Sequence, residues 1–468
     1  MLLSILLTLP LTTPTQHIAD TVQTIYEQTC CDKKCHAFMI SSTNNWWSCR
    51  TLKTEFKASG CCIRTSSQCM LDVEARQDIS TSSTVKWESL MRIGSHNSIM
   101  RPMPSSIFNT AVFLDSSMKA FVTNHGPLKQ QLDNGIRSLE IDMHYDPTGS
   151  SYTYSPFLEI AAPFLKLPSS NPIDVLLPLG YSNVQSLNES GIKTFHTQLD
   201  PTSYNFTLKE NLRELKSWLI EHPWTSTVFV TLQLGSSANT ETIDTALINL
   251  LKQDRYDEII RSGWRFEHEW PAIAASGLEE EILETLGEDL LVKPSYVQST
   301  YNSVRERVKH IGWPSTNDTL GKVVIILDCN ASLQEEYMRH EQRLAFTMGR
   351  DADNVDLDPI VSIRNASRFA TDRRAGISDE NQLLRVWLNE CKHEVSEPGC
   401  YPSSDLLAHV INSEANLVVS DFAPGSMTPR DENYTEYSTK FTTDPYTIQN
   451  IHSTFTECLD YIVHNITT

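Results

Sequence analysis

Two histidines and a pair of carboxylates carry the chemical content of this chain. His96 stands in Gly94-Ser95-His96-Asn97-Ser98, just after a short apolar run. Glu140 and Asp142 stand two apart in QLDNGIRSLEIDMHYD, and His196 closes another apolar run directly after Phe195. Residues two apart on a strand face the same side, so both carboxylates point one way while Leu139, Ile141 and Met143 point the other. Two such acids buried without a cation repel, and a hard divalent metal with oxygen ligands resolves the conflict. The set suits phosphodiester chemistry. One imidazole supports charge building on phosphate and another protonates the leaving oxygen. The metal neutralises phosphoryl oxygens or lowers the pKa of an attacking hydroxyl. Singly, each feature has a plainer explanation: a strand-end His held by a hydrogen bond, or a solvated Glu-x-Asp face. The combination in this order, with Gly135 and Arg137 beside the carboxylates, is more specific than its parts.

These side chains need strands to aim them. Apolar runs predict strands at Leu90 to Gly94, Ile136 to Met143, Ile192 to His196, Val228 to Leu234 and Val323 to Leu327, the last running into Asp328, with weaker ones at Ile360 to Ile363 and Leu417 to Ser420. Leu208, Leu212, Leu215 and Leu219 recur at helical spacing, and Pro223 stops that run. Ile243, Leu247, Leu250 and Leu251 repeat the pattern. Strands alternating with helices imply an α/β chain with a parallel sheet, and periodicity alone leaves a closed barrel and a doubly wound sheet both open. In a parallel barrel the reactive groups collect at the C-terminal ends of the strands, where all three polar clusters fall.

His96-Asn97, then QLDNGIRSLEID, then Phe195-His196 resemble the X-region of phosphatidylinositol-specific phospholipase C, closest to its secreted calcium-dependent branch. KTFHTQLDP, LRELKSWLIEHPWTSTVFVTLQL and IGWPSTNDTLGKVVIILD resemble that branch as well. The likeness runs from about Trp87 to about Phe422 and thins after Asp328. It implies an irregular TIM-like (β/α)8 barrel. It also implies metal-dependent cleavage of phosphatidylinositol-type lipids to diacylglycerol and an inositol (cyclic) phosphate. His96 would stabilise the phosphorane, His196 would act as general acid, and Asn97, Glu140 and Asp142 would hold calcium. Glu140 or Asp142 would serve as general base, a role some members give to the first His. Metal-independent members carry an Arg about where Asp142 stands, so the acid here favours a metal. Where the family has a fourth ligand, a Glu, this chain has Gln233, which keeps a carbonyl and loses a charge. The cations expected to grip an inositol phosphate are not evident; Arg137, Lys293 and Lys322 are the candidates. The same chemistry on another phosphodiester, as in glycerophosphodiesterases or sphingomyelinase D, is the alternative, as is a catalytically weakened glycoprotein that binds lipids or glycans.

The rest of the chain sets the context. Residues 1–16, MLLSILLTLPLTTPTQ, read as a short secretory signal lacking a basic start. Seven of the eleven cysteines fall between Cys30 and Cys69, which marks residues 17–78 as a disulfide-rich module in an oxidising compartment. Trp46 and Trp47 in that module form its small core or a sugar- or lipid-contact pair. The polar DISTSST at Asp78 to Thr84 is a linker, and residues 85–468 form the phosphodiesterase unit. Glycosylation sequons stand at Asn188, Asn205, Asn317, Asn330, Asn365, Asn433 and Asn465. A net charge of -20 excludes a nucleic-acid backbone as partner and disfavours electrostatic adsorption to anionic membranes. The expected partner is a phosphoinositide or related lipid met by peripheral membrane contact outside the cell. The oligomeric state is not legible.

Overall fold

The computed structural model describes Phe38–Ser41, Trp46–Cys49, 86–114, 123–197, 200, 202–223, 225–234, 254, 257, 258, 261, 269–340, 342–350, 359–363, 381–388, 415–423 and 426. The proposed signal, most of the cysteine-rich module, the DISTSST linker and the helix around Ile243 lie outside these residues. Within the module, β1 (Phe38–Ser41) pairs antiparallel with β2 (Trp46–Cys49), so Trp46 and Trp47 lie on a strand.

The main sheet holds β3 (Arg92–Ser95), β4 (Ser138–Asp146), β5 (Gly191–Thr194), β6 (Val228–Leu234), β7 (Val323–Asp328), β8 (Phe346–Arg350), β9 (Ile360–Ile363), β10 (Leu383–Trp387) and β11 (Leu417–Ser420). All of them except β5 run parallel to their neighbours. The order β3-β11-β10-β9-β8-β7-β6-β4 closes through a single β3–β4 pair, Gly94 beside Ser138, giving an irregular TIM-like barrel. The closure depends on glycine. A Cβ at Gly94 would lie 2.6 Å from both the Ser138 carbonyl oxygen and Val419 Cγ1, so any side chain there would push β3 off its two neighbours.

Two cores hold the walls apart. Outward residues Leu139, Ile141, Val230, Leu232, Ile325 and Leu327 pack under the helices, chiefly helix Leu208–Glu221. That helix starts in a capping box, Thr207 with Glu210, and buries Leu208, Leu212, Leu215 and Leu219, as their spacing predicts. Inward residues Phe229, Val324, Ile326, Leu383 and Leu417 fill the barrel with Trp87 and Trp313. The two indoles stack at 5.5 Å, and the Trp87 edge meets Phe229 at 5.1 Å. Each buried ring contributes on the order of 2–3 kcal/mol. Together they plug the N-terminal end, so the interior opens at the C-terminal mouth.

The expected strand at Ile192 to His196 forms, but not as a stave of the barrel. β5 pairs antiparallel with the far end of β4, Thr194 opposite Met143 and Gly191 opposite Asp146. A four-residue strand carries no directional signal; the length of β4, nine residues, is what leaves an overhang for it to pair with. A third apolar cluster, including Tyr152, Phe157, Leu158, Val184, Phe195 and Phe206, builds a layer over this side of the mouth. Strands β8 and β10, which the apolar runs did not reveal, complete the ring.

Candidate active site

His96 and Asn97 lie in a turn welded to the carboxylate strand. Asn97 takes a left-handed backbone, φ 50°, a conformation asparagine tolerates better than most residues. The Ser98 amide donates to the Glu140 carbonyl at 2.8 Å, and the Glu140 amide donates to Ser98 Oγ at 2.8 Å. Gln131 Nε2 donates to the Ser98 and Gly126 carbonyls, both at 2.7 Å. His125 Nε2 lies 2.7 Å from the His96 carbonyl. The first histidine and the first carboxylate therefore move as one unit.

The His96 imidazole is held on three sides. Nδ1 lies 2.7 Å from Asp421 Oδ1, Nε2 lies 4.0 Å from Glu140 Oε1, and the ring lies 4.5 Å from that of Trp387. Burial works against a charge on the ring, but Asp421 and then Glu140 outweigh it and raise its pKa to about 9. Nε2 is thereby left facing the mouth.

Glu140 and Asp142 face inward together, and their surroundings differ. Glu140 pairs with the guanidinium of Arg385, which crosses from β10 and also donates to Ser362 Oγ at 3.4 Å. Asp142 is 3 % exposed, and neither carboxylate oxygen has a hydrogen-bond partner. Burial, then repulsion from Glu140, pushes its pKa well up, against the pull of His96. Gln233 stands beside Asp142 in register, and Asp328 beside Gln233. Among the described residues no three His, Cys, Asp or Glu side chains converge as around a bound ion. The donors available for calcium are two carboxylates and the amide oxygens of Asn97 and Gln233. The unsatisfied oxygens of Asp142, in an oxygen-only donor set, fit a hard cation.

His196 reaches the mouth from above rather than from the barrel wall. Phe195, just before it, is clamped between two rings: His144 stacks on it at 4.1 Å and Tyr152 meets it edge-on at 5.2 Å. His144 Nε2 also lies 2.8 Å from the Phe195 carbonyl. Burial lowers the His144 pKa to about 4, against its bonds to the Phe195 and His196 backbone, so the neutral ring donates there. Burial, then the nearby His96 charge, lowers His196 to about 3, which makes it neutral as it stands.

The mouth thus gathers His96, Asn97, Glu140, Asp142 and Gln233, with His196 entering from the layer above. It does not gather the three expected substrate cations. Arg137 is fully buried before β4, where it donates to the Leu132 and Ile136 carbonyls at 2.8 Å and lies over the Trp218 ring. Lys322 precedes β7 at the plugged end and donates to the Asp289 carbonyl at 2.8 Å, and Lys293 pairs with Glu288 at 3.3 Å. Each lay next to an apolar run, and which end of the strand it occupies decides its role. Arg385 brings a guanidinium into the mouth beside His96, and the partner of His96 is Asp421. Their signals were a short LLRVW run interrupted by its Arg and an acid just past the last predicted strand.

Comparison with known proteins points to one family. A family model described as phosphoinositide phospholipase C, Ca2+-dependent, matches residues 85–450. A calcium-dependent phosphoinositol-specific phospholipase C from a Gram-negative bacterium, Pseudomonas sp, is similar at 13% identity and TM-score 0.42, covering 74% of this chain and 94% of that one. A Ca+2-dependent phosphatidylinositol-specific phospholipase C from Streptomyces antibioticus gives 14% identity and TM-score 0.42, covering 72% and 95%. A mutant of the Staphylococcus aureus phosphatidylinositol-specific phospholipase C gives 9% identity and TM-score 0.36, covering 76% and 91%. Among curated proteins there is no match.

Proposed function

The chain belongs to the calcium-dependent phosphoinositide phospholipase C family of phosphodiesterases, and from that premise we propose that its barrel mouth cleaves phosphatidylinositol-type lipids to diacylglycerol and inositol cyclic phosphate. One observation carries the reading: a buried carboxylate, Asp142, with both oxygens unsatisfied, facing inward with Glu140 beside a charged His96. In this reading the inositol 2-hydroxyl attacks phosphorus. Its oxygen–phosphorus bond forms as the bond to the diacylglycerol oxygen breaks. One proton leaves the hydroxyl for a carboxylate, and one is delivered to the departing oxygen.

Asn97, Glu140, Asp142 and Gln233 would hold calcium, which supplies charge neutralisation at the phosphoryl oxygens and a more acidic hydroxyl. The chain's own groups do the rest. His96, fixed by Asp421, presents a charged Nε2–H to the phosphoryl oxygens. Glu140 or Asp142 accepts the hydroxyl proton. His196 is neutral in the free protein, and a phosphodiester anion beside it favours the imidazolium that can then protonate the leaving oxygen. Trp387, beside the His96 ring, and Arg385, paired with Glu140, would border the inositol.

The layer over the mouth supports contact with a lipid surface. Phe113 is 80% exposed, Phe164 60% and Leu179 48%, on chain that follows the C-terminal ends of β3 and β4. Helix Ser105–Leu114 carries no charged residue. Among the described residues no helix is long and apolar enough to cross a membrane, so this surface would rest on the bilayer. The leader, the crowded cysteines and the exposed sequon residues Asn188 and Asn330 support secretion. Asn205 does not, because it is 9% exposed with its amide nitrogen 2.8 Å from Glu214 Oε2. The reading is tested by following phosphorus NMR of phosphatidylinositol vesicles with purified protein and calcium. A cyclic inositol phosphate supports it. No turnover of phosphatidylinositol, with turnover of an inositol-free phosphodiester lipid in parallel vesicles, would place the enzyme with the sphingomyelinase D or glycerophosphodiesterase chemistries.

A further inference from the structure

We infer that Asp200 is a positioning residue for His196 and works as the neutral acid: its carboxyl hydrogen, relayed through Thr202 to the Arg101 carbonyl, latches the His196 turn to the His96 turn. Losing that hydrogen loosens the latch. This rests on the phosphodiesterase reading above and adds a proton-dependent control to it. His196 leaves β5 and enters a turn closed by the Asp200 amide, which donates to the Thr197 carbonyl at 3.0 Å and to Thr197 Oγ1 at 3.3 Å. Just beyond Asp200 the chain lies against the segment that continues from the His96 turn. Met100 bridges to Ser203, the Tyr204 amide donates to the Ile99 carbonyl at 3.0 Å, and Ser203 Oγ donates there at 3.3 Å. The Met100 amide in turn donates to the Asn97 carbonyl at 3.0 Å. The two histidine turns are therefore stitched together through 99–101 and 202–204.

Thr202 fixes the protonation. Its hydroxyl has one hydrogen and meets two oxygens, the Arg101 carbonyl at 2.8 Å and Asp200 Oδ1. The carbonyl can only accept, so it takes the threonine hydrogen, and the hydrogen of the second contact comes from Asp200. Asp200 is fully buried, and among the described residues its Oδ2 has no hydrogen-bond partner. In a carboxylate that oxygen would strand negative charge; in a neutral acid it strands only a carbonyl oxygen, at smaller cost. Burial pushes the group up to about 7, against its two bonds to Thr202. The titratable groups around it leave it unanswered. Tyr181, which senses the Asp200 charge, is pushed up by burial to about 12, and burial raises Tyr204 as well, so both stay neutral. His196 is neutral in the free protein. The Arg101 guanidinium lies over the Tyr181 ring at 3.7 Å and donates to the Gly180 carbonyl at 3.0 Å. Once Asp200 ionises, its oxygen and the Arg101 carbonyl compete for a single hydrogen.

The test is hydrogen exchange at the Tyr204 amide of the full chain in chelator, followed against pH, with kcat in calcium as a second readout. A carboxyl that titrates higher in the closed latch than in the open one favours closure at low pH. That advantage is lost as pH rises from the ordinary carboxylate range to about 7 and changes no further above it. Protection of Tyr204 is expected to fall about tenfold per pH unit between about pH 5 and 7 and then to level off. Asp200→Asn cannot ionise and is expected to hold its protection within about twofold over that range. In the parent, kcat is expected to fall about tenfold between about pH 6 and 8, and Asp200→Asn is expected to lack that fall. Thr202→Val cuts the relay and is expected to show, already at about pH 5, the weak protection that the parent reaches only at about pH 7. The same pH dependence of protection in the parent and Asp200→Asn overturns the inference, as does full protection in Thr202→Val. If Asp200→Asn does not fold, Thr202→Val decides alone. A parent chain that shows the change in protection but releases no inositol phosphate keeps the latch and removes the enzymatic reading.

Discussion

The partner of His96 decides what that imidazole can do. Asp421 fixes Nδ1 and aims Nε2 at the mouth. Asp421→Asn should lower kcat by on the order of 10²-fold with little change in KM, measured on the purified variant, because orientation and charge are lost but the pocket is not. A parallel rise in KM with unchanged kcat would mean Asp421 serves binding instead. The Arg385–Glu140 pair makes a second prediction. Both groups are nearly fully buried, and leaving Glu140 unpaired in Arg385→Gln should cost about 3 kcal/mol in chelator. Calcium should return part of it, since the ion then answers the same carboxylate. Denaturant melts with and without calcium read both numbers. At this scale the sequence was legible where types and spacing speak together: His96-Asn97, Glu140-x-Asp142 and Phe195-His196 meet in one mouth. It was illegible for Arg385 and Asp421, whose roles come from partners 245 and 325 residues away.

At the scale of elements, the lesson is how a barrel hides its staves. Val228–Leu234 reads plainly because six of its seven residues are buried. β10 reads Leu-Leu-Arg-Val-Trp and turns a charged Arg385 into the interior, which breaks the apolar run that would have marked it. Closure through Gly94 is a long-range pairing with no local signature. β5 was foreseen as a strand, and its antiparallel direction was not. That direction leaves His196 carried by the upper layer, so its placement depends on the His144–Phe195–Tyr152 clamp. His144→Phe keeps the stack and loses the bond to the Phe195 carbonyl. We expect it to lower kcat about tenfold while thermal stability falls by only ~1 kcal/mol. His144→Ala should lose both the ring and the bond and fall further in each. Equal kcat for the parent and His144→Phe would show that packing alone holds His196.

The whole molecule adds two expectations. His96 is raised from 6.5 to about 9 and Asp142 is raised as well, so the folded, calcium-free protein binds protons more tightly than the unfolded chain there. The His96 contribution should therefore be lost as pH rises from about 6.5 through 9, by a few kcal/mol, that of Asp142 should fall over a window that opens just above the ordinary carboxylate range, and calcium should flatten both by answering the carboxylates. His144 and His196 are lowered to about 4 and 3, so stability should also drop as pH falls below about 6.5 towards those values. Chemical melts at fixed pH steps, with and without calcium, check both limbs. The second expectation concerns the surface. With a net charge of -20, docking through Phe113 and Phe164 rather than through charge should resist added salt. The double change Phe113→Ser with Phe164→Ser should cut turnover of vesicles about tenfold, while hydrolysis of water-soluble inositol cyclic phosphate stays at the parent rate. An equal loss on both substrates would place the defect in the site, not at the bilayer.

The central claim is that this barrel mouth is a working calcium-dependent phospholipase C. Its most direct test is release of water-soluble inositol phosphate from phosphatidylinositol vesicles by the full chain, in calcium and in chelator, beside His96→Ala. Release is expected in calcium alone, abolished by His96→Ala, despite glutamine at position 233. A folded protein that releases nothing in either condition, or releases it equally in chelator, would contradict it.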